Sequence, residues 1–200
     1  MTFTRQRHGL TDVGGKSVIR AALPDDVPVV LKLVRELAEF EREPNAVKMT
    51  EADLTTALFD DPPAAAALVA TDDIRDGDGA GAAGVSDLDG VDSGDGDGAE
   101  QVVGFAIYHE TFSTWTGRTG TFLVDLFVAP EHRRAGHGRA LLAALAAVAR
   151  DRGHRRLEWD VLDWNTPAHA FYRSLGAVPQ EGWTTWRLDA AGIAALAAGS

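Results

Sequence analysis

The sequence contains no cysteine, and this absence removes several kinds of chemistry from consideration. Without thiols the chain offers no disulfide framework, no cysteine-ligated zinc site and no cysteine nucleophile. A chain without cysteines also suits a reducing compartment, so we expect a cytoplasmic protein.

Positive charge is scarce as well. The net charge is −11 at pH 7, and a surface of that sign repels a phosphate backbone. We therefore expect no nucleic-acid partner. The excess of acids is compatible with a cationic substrate such as an amine, although it also serves solubility alone.

Long apolar runs are missing too, and residues 1–16 are polar, so we expect no signal peptide and no membrane partner. Two hundred residues with 45% hydrophobic content fit one globular domain, which we place at residues 17–200. Residues 1–16 are predicted to be a disordered lead. Residues 72–100, where Asp and Gly dominate, are predicted to be a disordered insertion at a hairpin tip, because they bury too little apolar surface to offset ordering entropy.

What is present predicts a mixed α/β sheet. Apolar runs and alternation predict strands at 17–23, 65–71, 101–110, 121–128, 155–162 and 183–188. Helical spacing and end signals predict helices at 26–42, 136–151, 165–176 and 190–198, with another that begins at Thr50 and stops before Pro62.

One stretch, residues 123–138, is more specific than the rest. An apolar strand runs into the turn Arg-x-x-Gly-x-Gly and then into an alanine- and leucine-rich helix. Glycines let the backbone approach an anion, and the first turn of a helix presents N–H groups and partial positive charge. The turn is not a P-loop, because no Lys-Ser/Thr pair follows it. It is not a dinucleotide fingerprint either, because Leu141 stands where the third glycine belongs.

This turn, with Val-Ala-Pro-Glu before it, resembles the acyl-CoA pyrophosphate loop of the GNAT N-acetyltransferases. Three further segments resemble the diamine (spermidine/spermine) acetyltransferase branch: Ile19-Arg20 with residues 36–41, the 121–138 core, and residues 164–183. The resemblance implies an α/β GNAT fold, whose mostly antiparallel mixed sheet is split at a central β-bulge and flanked by helices. It also implies direct acetyl transfer from the cosubstrate acetyl-CoA to a primary amine of a small substrate, and a homodimer; we expect no metal, because the histidines near these motifs lack further ligands at a suitable spacing.

Site residues follow from the same resemblance. Tyr172 is implied as the catalytic acid that protonates the departing thiolate, a role that suits a phenol. Glu181 is implied on the substrate side with Phe40, Glu41 and Asp125. The implied cofactor-binding residues are Phe127, Val128, Arg133, Arg134, Ala135, Gly136, His137, Gly138, Arg139 and Asn165.

Two departures from the branch leave alternatives open. Val124 stands where a Glu is usual, and Ser113 stands at an acidic position, so the general base is undetermined and Asp125 is equally well explained as a structural acid. The alternatives are an amino-acid or protein acetyltransferase and a non-catalytic acyl-CoA-binding protein. His132, His137 and His169 are predicted to be solvated rather than metal ligands, with His137 pointing out of the loop. The five tryptophans are predicted to lie in the core or in a dimer interface.

Overall fold

The computed structural model describes residues 11–12, 17–73 and 100–199, and these residues confirm a mixed, mostly antiparallel sheet with helices. The strands are β1 Thr11–Asp12, β2 Ser17–Ala21, β3 Ala66–Asp73, β4 Glu100–Ser113, β5 Arg118–Val128 and β6 Leu157–Glu158. The helices are α1 Val27–Phe40, α2 Glu51–Phe59, α3 His137–Asp151, α4 Thr166–Ser174 and α5 Ala190–Ala197. The described strands form one sheet in the order β1-β2-β3-β4-β5-β6, in which only β5 and β6 pair in parallel.

Helices cover both faces of this sheet. On one face α1 and α2 bury Val30, Leu31 and Leu54 against Val69, Phe105 and Phe127. Since side chains alternate along a strand, Leu68 and Ala106 point to the opposite face, where α3 packs with its buried residues Leu141, Leu145 and Val148. Burial on both faces explains why β3 to β5 read as nearly continuous apolar runs.

A bulge interrupts β5 in the middle. Ile107 pairs with Asp125 and Tyr108 pairs with Leu123, so Val124 is one extra residue in the ladder with β4. On its other side β5 pairs with β6 only at Thr121 and Phe122. Among the described residues up to Asp160, β5 therefore has an unpaired edge from Leu123 onward, which is the split that the resemblance implies.

The chain divides into two compact units after Asp160. The second unit contains α4 and α5, and the predicted strand at 183–188 is wrong, since these described residues form neither strand nor helix. Trp183 and Trp186 in this stretch are 77% and 90% exposed. An extended segment needs a neighbouring backbone for its hydrogen bonds, and the described residues of this unit contain no strand.

Other boundaries also differ from the predictions. Thr11–Asp12 pairs with β2, although residues 1–16 were expected to be a disordered lead. Asp72, Asp73 and Glu100 belong to strands, because the ladder between β3 and β4 extends into the expected insertion. The remaining residues of the lead and the insertion, 1–10, 13–16 and 74–99, lie outside the described residues. The strand predicted at 155–162 is ordered as a strand only at Leu157–Glu158.

A core position is wrong for four of the tryptophans, which are exposed, so their place in a dimer interface stays a prediction: Trp115, Trp164, Trp183 and Trp186. None of the described helices is both long and apolar enough to span a membrane.

Candidate active site

The turn before α3 has the backbone conformation of an anion-binding loop. Gly136 caps the helix with φ 98°, in the left-handed region that favours glycine, and Arg134 has φ 68°. A Cβ on Gly136 would meet no atom within 4 Å, so the approach to the backbone there is open. Ala140 N donates to Gly136 O at 3.0 Å, so the amides of Gly138 and Arg139 precede the first intrahelical hydrogen bond. These amides, with the positive end of the helix dipole, can bind a phosphate group.

Beside this turn, the unpaired edge of β5 presents backbone groups in alternation. The N–H of Ala129 points toward β4, where it donates to Val103 O at 2.9 Å. The N–H of Phe127 points the same way, because backbone groups two residues apart along a strand point to the same side. Val128 points the other way, since its carbonyl accepts from Arg133 Nε at 2.9 Å. The same alternation turns the amide of Leu126 to the open edge. The alternation thus directs the amide of Phe127 toward β4 and the amide of Leu126 toward the edge, and the cofactor-binding roles of Phe127 and Val128 stay predictions.

Arg133 connects the turn to the rest of the site. Its guanidinium carbon lies 5.3 Å from the ring centroid of Phe40 at the end of α1 and 5.2 Å from that of Phe127 on β5. Both distances are within the range of cation–π attraction. With its Nε bonded to Val128 O, the side chain holds the turn against β5 and α1.

Two carboxyl groups on the α1 side of the sheet interact through their charges. Asp125 lies two residues before Phe127 on β5, so its side chain is on the same face of the sheet and points toward α1. Glu41 is the residue that follows the last turn of α1. Burial raises the pKa of Asp125. Burial, and then the negative charge of Asp125, raise the pKa of Glu41. Two partly buried acids whose charges repel are suited to an ammonium group, whose positive charge would relieve that repulsion.

The histidines differ from the sequence prediction. His137 is only 3% exposed, and its Nε2 lies 3.2 Å from Asp72 Oδ2 on β3. The Nδ1 of half-buried His132 lies 3.0 Å from the same oxygen. His137 turns inward because it lies four and eight residues before Leu141 and Leu145, on the face of α3 that packs on the sheet. Half-buried His169 has its Nε2 3.2 Å from Leu162 O, so it too is not simply solvated.

The second unit carries the remaining predicted residues. Asn165 caps α4, its side-chain oxygen accepting from Ala168 N at 3.3 Å. Tyr172 is half-buried on α4, its ring centroid lies 5.1 Å from that of Phe171, and burial raises its pKa. Glu181 is exposed. The roles of Asn165, Tyr172 and Glu181 stay predictions.

The first unit thus combines an anion-binding helix start, an open strand edge and a carboxylate pair. The strand–turn–helix pattern gave the first of these from sequence. The alternation of β5 amides follows from the position of the bulge, for which the sequence gives no local signal. Asp72 was missed because it was assigned to the Asp- and Gly-rich insertion.

Comparison with known proteins gives one family. The model of the acetyltransferase (GNAT) family matches residues 33–177. The thialysine N-epsilon-acetyltransferase of Bos taurus is 34% identical over 183 residues, which cover 90% of this chain and 96% of that protein. The L-ornithine N5-acetyltransferase NATA1 of Arabidopsis thaliana is 30% identical, over 90% of this chain and 87% of that protein.

Among solved structures, an integron cassette protein from the mobile metagenome of V. cholerae superposes with a TM-score of 0.66 at 23% identity. The match covers 92% of this chain and 99% of that chain. At this identity the likeness concerns the fold.

Proposed function

The chain belongs to the acetyltransferase (GNAT) family and is an N-acetyltransferase, and from this premise we propose that it transfers acetyl from acetyl-CoA directly to a primary amine of a small diamine-like substrate. The observation that carries the proposal is the start of α3 lying beside the unpaired edge of β5. The pyrophosphate binds at the amides that follow Gly136. The pantetheine arm lies along the edge, where Leu126 and Val128 present amides.

The proposed chemistry is a direct displacement. The neutral amine attacks the thioester carbonyl carbon, a C–N bond forms, and the carbonyl oxygen becomes an oxyanion that a β5 edge amide stabilises. Collapse breaks the C–S bond, and the thiolate takes a proton from Tyr172. A phenol is protonated at neutral pH, as an acid must be, and burial raises the pKa of Tyr172 further. The proton lost by the amine passes to water, because Asp125 stays ionised beside the second amino group of the substrate.

The carboxylate pair determines the substrate class in this proposal. Glu41 and Asp125 bind the ammonium form of a second amino group while the neutral amine reacts, with Phe40 beside them and Glu181 as a further acid. This arrangement favours a diamine over a simple monoamine. An amino-acid side chain is the second candidate, because the named substrates of two relatives, thialysine and ornithine, carry an amino group on an amino-acid side chain.

An amine panel tests the proposal. Thiol release from acetyl-CoA is measured with putrescine, cadaverine and spermidine, with free thialysine, ornithine and lysine, and with a lysine-containing peptide. Butylamine serves as a matched control that lacks the second amino group. We expect kcat/KM for the preferred diamine or diamino acid to exceed that for butylamine by at least about tenfold, the effect of one charge-assisted hydrogen bond.

Two outcomes would contradict parts of the proposal. CoA binding by calorimetry without turnover on any amine would favour a non-catalytic acyl-CoA-binding protein. No heat on titration of CoA would remove the cofactor site itself. A single catalytic domain over residues 17–200, a homodimer, a cytoplasmic location, and the lack of nucleic-acid and membrane partners stay predictions.

A further inference from the structure

Two histidines and one aspartate converge where β3 meets the turn before α3. The Nδ1 of His132 and the Nε2 of His137 lie 3.0 and 3.2 Å from the same oxygen of Asp72. All three candidate ligand atoms lie within 4.8 Å of one another. This is the one such group of three among the described residues, and the amine-transfer chemistry proposed above does not use it.

The spacing fits one metal ion. Zinc bonds to imidazole nitrogen and carboxylate oxygen are about 2.0–2.2 Å long, and tetrahedral ligand atoms at that radius are about 3.3–3.6 Å apart. The separations from Asp72 Oδ2 to the two nitrogens are 0.1 to 0.6 Å shorter than this edge, and the two nitrogens lie within 4.8 Å of each other, so side-chain shifts are needed to seat the ion. Two imidazoles and one carboxylate are a ligand set that zinc and neighbouring transition metals prefer, whereas magnesium and calcium prefer oxygen ligands alone.

Burial also fits a metal site. His137 is almost fully buried, with 2% of its side chain exposed, while the side chains of His132 and Asp72 are 24% and 27% exposed. One ligand thus comes from the interior and two from the surface, which leaves a side open for entry and for a fourth ligand such as water.

We propose that Asp72, His132 and His137 form a binding site for a divalent transition metal of the zinc type. His132 and His137 lie at the two ends of the turn 133–136, and Asp72 lies on the sheet beneath it. The metal therefore fastens both ends of this turn to β3 and stabilises a backbone that includes the left-handed Arg134 and Gly136. This second part of the inference, that the metal orders the cofactor turn, rests on the proposed function.

Cobalt spectroscopy tests the binding site itself. Untagged protein is freed of metal with a chelator and titrated with Co²⁺. We expect one equivalent to give the intense visible absorption of a four-coordinate site, and one equivalent of Zn²⁺ to remove it and raise the Tm. Asp72→Asn and His132→Ala should each weaken binding by more than about 100-fold, since losing only a second-shell partner costs about 10–100-fold.

Glu110→Gln is the matched control. Glu110 is also a carboxylate beside a buried histidine side chain, 3.3 Å from His154 Nε2. Among the described residues, however, these two are not part of a group of three ligands. It should bind Co²⁺ as the wild type does. Weak octahedral absorption that persists in Asp72→Asn and His132→Ala would overturn the proposal and assign binding to scattered carboxylates. If Asp72→Asn does not fold, the partly exposed His132→Ala decides the matter.

Calorimetry with CoA, with and without Zn²⁺, tests the effect on the turn. We expect Zn²⁺ to tighten CoA binding in the wild type and not in His132→Ala, because two ligands that favour one conformation help each other. Metal binding without any CoA binding would refute the proposed function and leave the metal site standing. CoA binding without metal binding would do the reverse. Binding of both with unchanged CoA affinity would refute the coupling.

Discussion

Gly136 offers a quantitative test of the cofactor turn through the substitution Gly136→Ala. The residue has φ 98° and ψ −6°, and an added Cβ would touch nothing within 4 Å, so the cost is conformational rather than steric. A non-glycine residue in the left-handed region costs about 1–2 kcal/mol. For a chain of this size the Tm should fall by about 2–8 °C.

The same substitution should weaken CoA binding. To escape the strain, the backbone at residue 136 moves, and the amides after it move away from the pyrophosphate. Loss of one charge-assisted hydrogen bond costs about 1.5–3 kcal/mol, which corresponds to about 10- to 150-fold in Kd. Isothermal calorimetry measures this loss directly, and a thermal melt gives the change in Tm.

Gly153→Ala is a matched control at the other end of α3. Gly153 has φ 71°, and a Cβ there would also meet no atom within 4 Å. Its substitution should cost a similar stability and leave CoA affinity unchanged. Equal loss of CoA affinity in both variants, or wild-type affinity in Gly136→Ala, would refute the assignment of this turn to the pyrophosphate.

Three further substitutions test other parts of the site. Glu41→Gln should weaken diamine binding by about 10- to 150-fold through loss of a charged hydrogen bond. The pKa of Glu41 is raised in the folded state, so its ionisation lowers the free energy of unfolding as pH rises through that pKa. Glu41→Gln should therefore be more stable than the wild type at pH 7 and not at pH 3. Denaturant titrations that find no difference at pH 7 would contradict this. Tyr172→Phe should lower kcat strongly with little change in acetyl-CoA affinity. Tyr108→Phe, which alters the other tyrosine of the chain, should keep the wild-type kcat. Equal kcat values for the two variants would remove Tyr172 from the mechanism. Arg134→Gly should relieve the strain of the left-handed backbone and raise the free energy of unfolding in urea by about 0.5–1 kcal/mol, whereas Arg134→Ala should not. A destabilised glycine variant would show that no strain is stored at this residue.

Local patterns predicted the elements that depend on neighbours in sequence. The Thr50 cap is an example, since its side chain accepts from Asp53 N at 3.2 Å and Asp53 accepts in return from Thr50 N at 2.8 Å. Alternation and helical spacing likewise placed β4, β5 and α3 close to their observed bounds. The strand at 183–188 shows the limit of this reasoning, because alternation describes a side-chain pattern while a strand also needs a partner backbone.

The sequence by itself determined the strand, the glycine turn and the helix start that characterise the family, because their geometry arises within about twenty consecutive residues. Tertiary structure decided which β5 amides face outward, through a bulge at Val124 that only the register with β4 reveals. It also decided which acids and histidines come together. Burial, and then the charge of Asp125, raise the pKa of Glu41, and Asp72 contacts His132 from 60 positions away. Such contacts depend on how the sheet and helices pack, and no local pattern encodes that packing.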